Sequence, residues 1–284
     1  MGIQVKNIFY TYQKKATNAT LALNDVSFTI EDNEFIAIVG ETGSGKSTLA
    51  QMFNALLVPD KGEVLAGTYV INYKNRKSRK LKGLRQHVGL VFQFPEYQLF
   101  EETVEKDVAF GVKNFGIKGD AALEKAHEAL KQVGLDESYY KRAPFDLSGG
   151  EKRKVALAGI LAINPDILIF DEPTAGFDPQ SSKELMNLIC EFHKQGKTII
   201  IITHDMDIVN TYAKRVLLLE RGKLEFSGTP SELFDFIKGY DRLDTPLVIK
   251  VAEKLKEKGM DINVHDVHNL DDLVAAIKKW RNKA

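Results

Sequence analysis

A lysine with glycines at fixed offsets before it is the first place where residue types and spacing in this chain suggest chemistry. Gly40, Glu41, Thr42, Gly43, Ser44, Gly45, Lys46, Ser47 and Thr48 form a Gly-x4-Gly-Lys-Ser run between the apolar stretch Phe35–Val39 and the helix-forming stretch Ser47–Phe53. Glycines let the backbone curl around a polyphosphate with its N–H groups inward, and a helix N-terminus adds partial positive charge. In such a loop Lys46 reaches the β- and γ-phosphates and the Ser47 hydroxyl coordinates Mg2+. Further along, Asp171 and Glu172 are adjacent carboxylates that follow the apolar run Ile167–Phe170. Side chains alternate along a strand, so one acid can sit beside a metal and the other beside a water. Gln93 follows Val88–Phe92 and could bring an oxygen to Mg2+ or to an attacking water. His204 follows Lys197–Thr203, alone among the six histidines at such a strand end; the other reading is a satisfied structural histidine. Ser148, Gly149 and Gly150 open a helix, where they either present N–H groups to an anion or simply cap a core helix. Tyr12 offers its face to an adenine ring or is an ordinary half-buried strand tyrosine.

These groups need elements that deliver them to one place. Phe35–Val39, Val88–Phe92, Ile167–Phe170 and Lys197–Thr203 are short, apolar and partly β-branched, as buried parallel strands are; the first leads into the glycine-rich loop and the others into Gln93, Asp171 and His204. Residues 3–12 and 21–30 alternate around the polar loop Gln13–Thr20 and predict an antiparallel hairpin layer. Pro59–Glu63 reads as a tight turn and Glu63–Tyr73 as a resumed strand. Residues 121–134 and 137–142 predict helices, with Ala122, Ala126, Ala129, Leu130 and Val133 on one stripe: a helical insertion between core strands. The helix opening at Ser148 is apolar nearly all round over Val155–Ala162 and must be buried. A helix over 180–195 and closing strands at Val216–Leu219 and Lys223–Gly228 complete the body. Beyond Thr245, two amphipathic segments, near 247–258 and 269–281, form a tail too short to bury a core alone.

Composition narrows the classes. A chain of 284 residues holds one large α/β domain with an appendage, or two small domains. With 39 basic and 39 acidic side chains the net charge is zero, which gives no whole-molecule argument for nucleic acid. The single cysteine, Cys190, excludes an intramolecular disulfide framework and fits a reducing compartment. No apolar run reaches the ~18 residues of a membrane span. The start of the sequence carries neither a signal-peptide nor a myristoylation pattern, so a cytosolic chain with only indirect membrane association is expected. The basic run Lys74–Lys82 either touches anionic lipid or nucleic acid or is a solvated surface loop. Phe94–Val104 mixes aromatics with carboxylates, as an exposed partner groove does; a mobile loop tucked on the core is the alternative. His265 and His268 lack companions for a metal site.

Taken in order, the phosphate loop, Gln93, Leu147-Ser148-Gly149-Gly150-Glu151, Ile167–Glu172 and Thr203-His204-Asp205 resemble the nucleotide-binding domain of ATP-binding-cassette (ABC) transporters over roughly residues 3–235. The spacings look like an importer-type cassette: 102 positions from Lys46 to Ser148, 23 on to Asp171 and 33 on to His204. Phe92–Phe100 and Asp107–Gly111 resemble energy-coupling-factor (ECF) importers, specifically their second ATPase subunit. The resemblance implies an α/β fold of the ABC-type P-loop NTPase kind: a RecA-like mostly parallel sheet, an antiparallel β subdomain, a helical subdomain at about 94–165 within an ATPase domain of residues 1–240, and a helical extension at 241–284 that helps pair two ATPases. It implies ATP with Mg2+, the adenine on Tyr12, the phosphates in the loop, and Lys46, Ser47 and Asp171 (through water) around the metal. It makes Glu172 the group that polarises the attacking water, Gln93 the γ-phosphate sensor, and His204 the group that holds phosphate and water in line. Ser148, Gly149 and Gly150 would close over nucleotide held by a partner subunit.

The same resemblance implies a peripheral protein on the cytoplasmic face of the cell membrane. Its partners would be a second ECF ATPase, either a different chain or a copy of this one, a transmembrane coupling protein, and a membrane-embedded capture protein for a vitamin or a metal ion. No nucleic-acid partner is expected, although a soluble cassette ATPase acting on nucleic acid or ribosomes is the alternative from another class. Phe94–Glu102 would receive a coupling helix, with Glu96, Glu101 or Glu102 pairing with its basic residues. Two positions depart from the pattern: Glu151, where Gln is commoner, and Phe177, where Leu is usual.

Overall fold

In the computed structural model, which describes residues 2–14, 17, 19–75, 81–238 and 243–281, the buried apolar runs form one six-stranded sheet. In chain order the elements are β1 (Ile3–Tyr12), β2 (Thr20–Ile30), β3 (Phe35–Val39), α1 (Lys46–Phe53), β4 (Lys61–Ala66), β5 (Tyr69–Ile71), α2 (Leu81–His87), β6 (Val88–Val91), α3 (Val104–Asn114), α4 (Asp120–Gln132), α5 (Glu137–Tyr140) and α6 (Gly149–Leu161). Then follow β7 (Ile167–Asp171), α7 (Pro179–Lys194), β8 (Thr198–Ile202), α8 (Met206–Tyr212), β9 (Arg215–Glu220), β10 (Lys223–Gly228), α9 (Pro230–Phe236), α10 (Leu247–Glu257) and α11 (Leu270–Arg281). The main sheet runs β10-β9-β3-β8-β7-β6, parallel except for β10 at its edge. Every residue of β3 and β8 is buried, as expected of central strands covered on both faces.

Strand alternation divides the apolar residues between two layers. Ile199 and Ile201 of β8 join Leu168 and Phe170 of β7 in a core shared with α6, α7 and the helical layer α3–α5. Ile200 and Ile202 face the other way, with Ile167, Ile169, Ile36 and Ile38, onto α1 and a second, antiparallel sheet ordered β2-β1-β4-β5. The hairpin read from residues 3–12 and 21–30 is present, pairing Ile3 with Ile30 and Tyr12 with Thr20. The stretch Glu63–Tyr73 is not one strand: Gly67, at φ +56°, turns it into a β4–β5 hairpin. Lys61–Glu63 is not a turn either, because β1 offers backbone partners there, Phe9 to Lys61 and Lys6 to Glu63. Residues 76–80 of the basic run, and the boundary drawn between residues 240 and 241, lie outside the described residues.

The helical layer holds the stripe Ala122, Ala126, Ala129, Leu130 and Val133 buried against α3 and α6. One buried acid ties it together. Glu105 of α3, only 4% exposed, accepts hydrogen bonds from His127 of α4 at 3.0 Å and from Lys141 just after α5. The tail does not stand alone: Ile249, Ala252, Met260, Ile262, Val267 and Leu273 share a core with α8 and α9. The Asn210 amide nails it down by donating to the carbonyls of Val267 and His268 at 3.0 and 2.9 Å.

Burial pushes the Glu105 carboxyl up, but the bonds from Lys141 and His127 outweigh it and hold it below the usual glutamate value. An acid depressed in the folded state stabilises the fold above its unfolded pKa and loses that contribution as pH falls through the folded one. Glu105→Gln is expected to cost about 1–2 kcal/mol in urea denaturation at neutral pH, and the gap to the unaltered protein is expected to close in acid, below the carboxylate range.

Candidate functional site

Because β3, β7 and β8 are parallel neighbours, their carboxyl ends share one edge, and the phosphate loop springs from that edge. Gly40 leaves β3 at φ +142°, where a Cβ would lie 2.1 Å from the Leu219 carbonyl oxygen. Gly45 enters α1 at φ +107°, with Ala22 O 2.5 Å from a would-be Cβ. Only glycine passes through either point. The Lys46 side chain is 8% exposed and turns back into its own loop, donating to the carbonyls of Gly40 and Glu41 at 2.7 Å each, with Ser44 Oγ at 3.5 Å. Burial pushes the Lys46 ammonium below the usual lysine range, against the pull of Glu172, Asp171 and Glu41. Burial likewise raises the Asp171 carboxyl; a hydrogen bond from Ser47 and the charge of Lys46 oppose the rise and Glu172 adds to it.

The next residue is held differently. Glu172 adopts φ +49°, a left-handed conformation that costs a non-glycine residue about 1–2 kcal/mol, and its N–H donates to Ile202 O at 2.8 Å. Its carboxylate meets His204 Nδ1 at 2.7 Å and the Thr203 hydroxyl at 3.4 Å. At the end of β6, Phe94 is also left-handed, at φ +56°, directly after Gln93. Tyr12 is 38% exposed, and its phenol lies 3.1 Å from the Thr48 hydroxyl.

These groups converge. One open cleft of about 440 Å3 is lined by Tyr12, Thr42, Gly43, Gly45, Lys46, Ser47, Thr48, Gln93, Asp171, Glu172 and His204, together with Thr20, Leu21 and Ala22. Its size suits a small-molecule ligand. Gly40, Glu41 and Ser44 stand behind it as the frame around Lys46. The clustered oxygens of Ser47, Asp171 and Gln93 are hard donors of the kind Mg2+ takes. Ser148, Gly149 and Gly150 do not line this cleft; they lie exposed at the start of α6, and Ser148 and Gly150 border a separate, largely apolar cleft of about 450 Å3 that Glu172 reaches from its other side.

Ser148 caps α6 in a reciprocal box: its hydroxyl accepts from Glu151 N at 3.4 Å, and the Glu151 carboxylate accepts from Ser148 N and Oγ at 2.8 and 2.7 Å. The Tyr139 hydroxyl donates to the same carboxylate at 2.8 Å. The sequence pointed to Ser148 as a cap but not to the reciprocal box, whose signal is the Ser-x-x-Glu spacing. Arg153, Thr203 and Tyr139 carried no comparable sequence signal, because their partners are distant in the chain.

A parallel sheet with a curled, lysine-filled loop at its carboxyl edge and paired acids on the neighbouring strand defines a P-loop ATPase of the ATP-binding-cassette class. The family described as ABC transporter matches residues 23–175. The energy-coupling factor transporter ATP-binding protein EcfA2 of Streptococcus agalactiae serotype Ia is 47% identical over 280 residues, 98% of this chain and 99% of that protein. EcfA3 of Oenococcus oeni is 44% identical over 98% of this chain and 97% of its own length. Among solved structures, cbiO1 from Clostridium perfringens, described as part of the ABC transporter complex cbiONQ, superposes with a TM-score of 0.73 at 38% identity, covering 90% of this chain and 96% of its own. The cassette MJ0796, described as a dimer in a post-hydrolysis state bound to ADP and Pi, gives 0.72 at 30% identity over 80% of this chain and 98% of its own. The chain belongs to the ATP-binding proteins of energy-coupling factor transporters: it binds ATP, and it is an ATPase whose hydrolysis is coupled to transport.

The buried Lys46 charge lining the cleft makes it a place where nucleotide should stabilise the fold. At a hundredfold excess over Kd, ATP is expected to add about 2.7 kcal/mol, a rise in Tm of roughly 5–10 °C. Lys46→Ala is expected to abolish that rise, which thermal melting with and without nucleotide will show.

Proposed function

We propose that this chain is one of two cassettes on the cytoplasmic face of a cell membrane that drive uptake of a vitamin or a metal ion. The observation that carries the reading is spatial. Lys46, Ser47, Asp171 and Glu172 share one cleft, while Ser148, Gly149 and Gly150 are exposed and do not line it. A helix start with free N–H groups, placed away from the chain's own phosphate loop, suits nucleotide held by a second ATPase, whether a different chain or a copy. The domains follow the same reading: an ATPase domain over residues 1–240, with a helical subdomain at about 94–165, and an extension over 241–284. Exposed apolar residues on that extension, Leu247 at 69% and Leu270 at 64%, support its pairing with the other ATPase.

In this mechanism Tyr12 carries the adenine, and the loop's N–H groups with Lys46 hold the β- and γ-phosphates. Mg2+, held by Ser47, Gln93 and Asp171 (the last through water), would neutralise charge on the phosphates. Glu172 accepts the proton of the attacking water, and His204, already hydrogen-bonded to Glu172, keeps water and phosphate in line. Gln93 senses the γ-phosphate from the strand end that leads into the membrane-facing segment. There Tyr97 is 85% and Phe100 57% exposed, and the Phe100 ring meets Phe110 edge-on at 4.8 Å, a surface suited to a transmembrane coupling protein that in turn joins a substrate-capture membrane protein. Of the three acids suggested there, Glu96 is engaged within the chain by a half-buried Arg153 at 2.9 Å. Glu102 pairs with Lys106 at 2.7 Å in an exposed contact that a basic partner can displace, so Glu101 and Glu102 are the two placed to face such a partner.

Glu172→Gln is expected to retain ATP binding and to lower hydrolysis in the assembled complex by about a hundredfold or more; a hydrolysis rate equal to that of the unaltered complex would remove Glu172 from the mechanism. Reversing the charge of Glu101 and Glu102 together is expected to weaken co-purification with the membrane partner, most clearly at low salt.

A further inference from the structure

We propose that Arg153 is a positioning residue for ATP turnover, locking the segment after Gln93 to the loop after Glu172. The inference rests on the reading of Glu172 given above and adds how its loop is held. Arg153 lies on α6, a turn beyond the Ser148 cap. Its Nε donates to Glu96 Oε2 at 2.9 Å and its Nη1 to the Ala175 carbonyl at 2.7 Å. The guanidinium also covers two rings, Phe177 at 4.3 Å and Phe94 at 5.2 Å. One side chain thus joins three elements: the segment that follows Gln93, the helix that Ser148 opens, and the loop that follows Glu172.

The chemistry suits a fastener. Guanidinium is planar, permanently charged and has donors in a fixed fork, so it can hold a carboxylate, a carbonyl and two ring faces at once; an ammonium cannot. The Arg153 and Glu96 side chains are only 12% and 14% exposed, so each charge has little water to replace its partner if the other withdraws. The loop fits closely against this unit: Gly176 adopts φ +74°, and a Cβ there would meet Phe94 Cε1 at 3.7 Å and Arg153 Nη2 at 3.8 Å. Phe177, which departs from the ABC pattern, supplies the nearer of the two rings; a leucine there would offer no π-face. Displacement of the Phe94–Gln98 segment would therefore pull on Arg153 and, through its bond to Ala175, on the loop behind Glu172.

The test is a double-mutant cycle with Glu96→Gln and Arg153→Lys in the assembled transporter, reading nucleotide Kd, kcat for ATP and solute moved per ATP. Each single change is expected to lower kcat about tenfold with Kd within about threefold, and the double variant to be no worse than Arg153→Lys alone. Multiplicative losses, or an unchanged kcat, would overturn the proposal. Should Arg153→Lys fail to fold, Phe177→Leu, which leaves the ion pair in place, decides instead: a kcat about threefold lower at unchanged Kd supports it, and an unchanged kcat overturns it. If Glu172→Gln hydrolyses ATP normally while the cycle stays non-additive, the role of Glu172 fails and the fastening stands; the opposite pair of results removes the fastening alone.

Discussion

A buried ammonium must have its protons taken and its charge answered, and the site is arranged around meeting that demand at Lys46. Two protons go to the carbonyls of Gly40 and Glu41, which points the loop's carbonyls inward at the lysine. The charge is answered by Glu172 and Asp171, at and just beyond the end of a different strand. The second requires that β3 and β7 lie in one parallel sheet, separated only by β8. The burial of the Lys46 ammonium is what makes a polyphosphate with its counter-ion a favourable guest.

The acids are held by unequal means. Asp171 ends β7 in register with Ile202, so it belongs to the rigid sheet. Glu172 sits one residue beyond, in a left-handed conformation secured by Ile202 O and His204. Strain of this kind persists only where surrounding structure fixes it. Phe94, left-handed beside Gln93, repeats the device on the next strand. The two strained turns are adjacent in space, and Arg153 bridges the segments that leave them.

The helical layer has its own acid at its centre. Glu105 ties α3 to α4 and to the end of α5, and Glu151 ties the start of α6 to Tyr139. Ser148 therefore stands on a braced platform, its orientation set by Glu151 and by the helix it caps. In the reading proposed above, that brace presents the exposed helix start to a neighbouring cassette. The residue that departs from the family pattern at this point works as the acceptor half of the cap.

Much of this was legible in the sequence because its causes are local. The phosphate loop, the buried strands before Gln93, Asp171 and His204, the capped helix at Ser148 and the apolar stripe of α4 follow from glycine placement, alternation and helical period over a few residues. The β4–β5 hairpin was missed because a strand pattern continues across Gly67, and only pairing with β1 shows where it turns. Helix α3 was missed although Val104, Val108, Ala109 and Val112 recur at a helical period behind the Thr103 cap, so the signal was local and readable. The engagement of Glu96 by Arg153, 57 positions away, and the docking of the tail on Asn210 are meetings between distant segments. Residue order by itself determined which groups could do chemistry and which short elements carry them. Only tertiary structure decided which charges meet, because that depends on strand order and on which faces pack, and no local spacing encodes either.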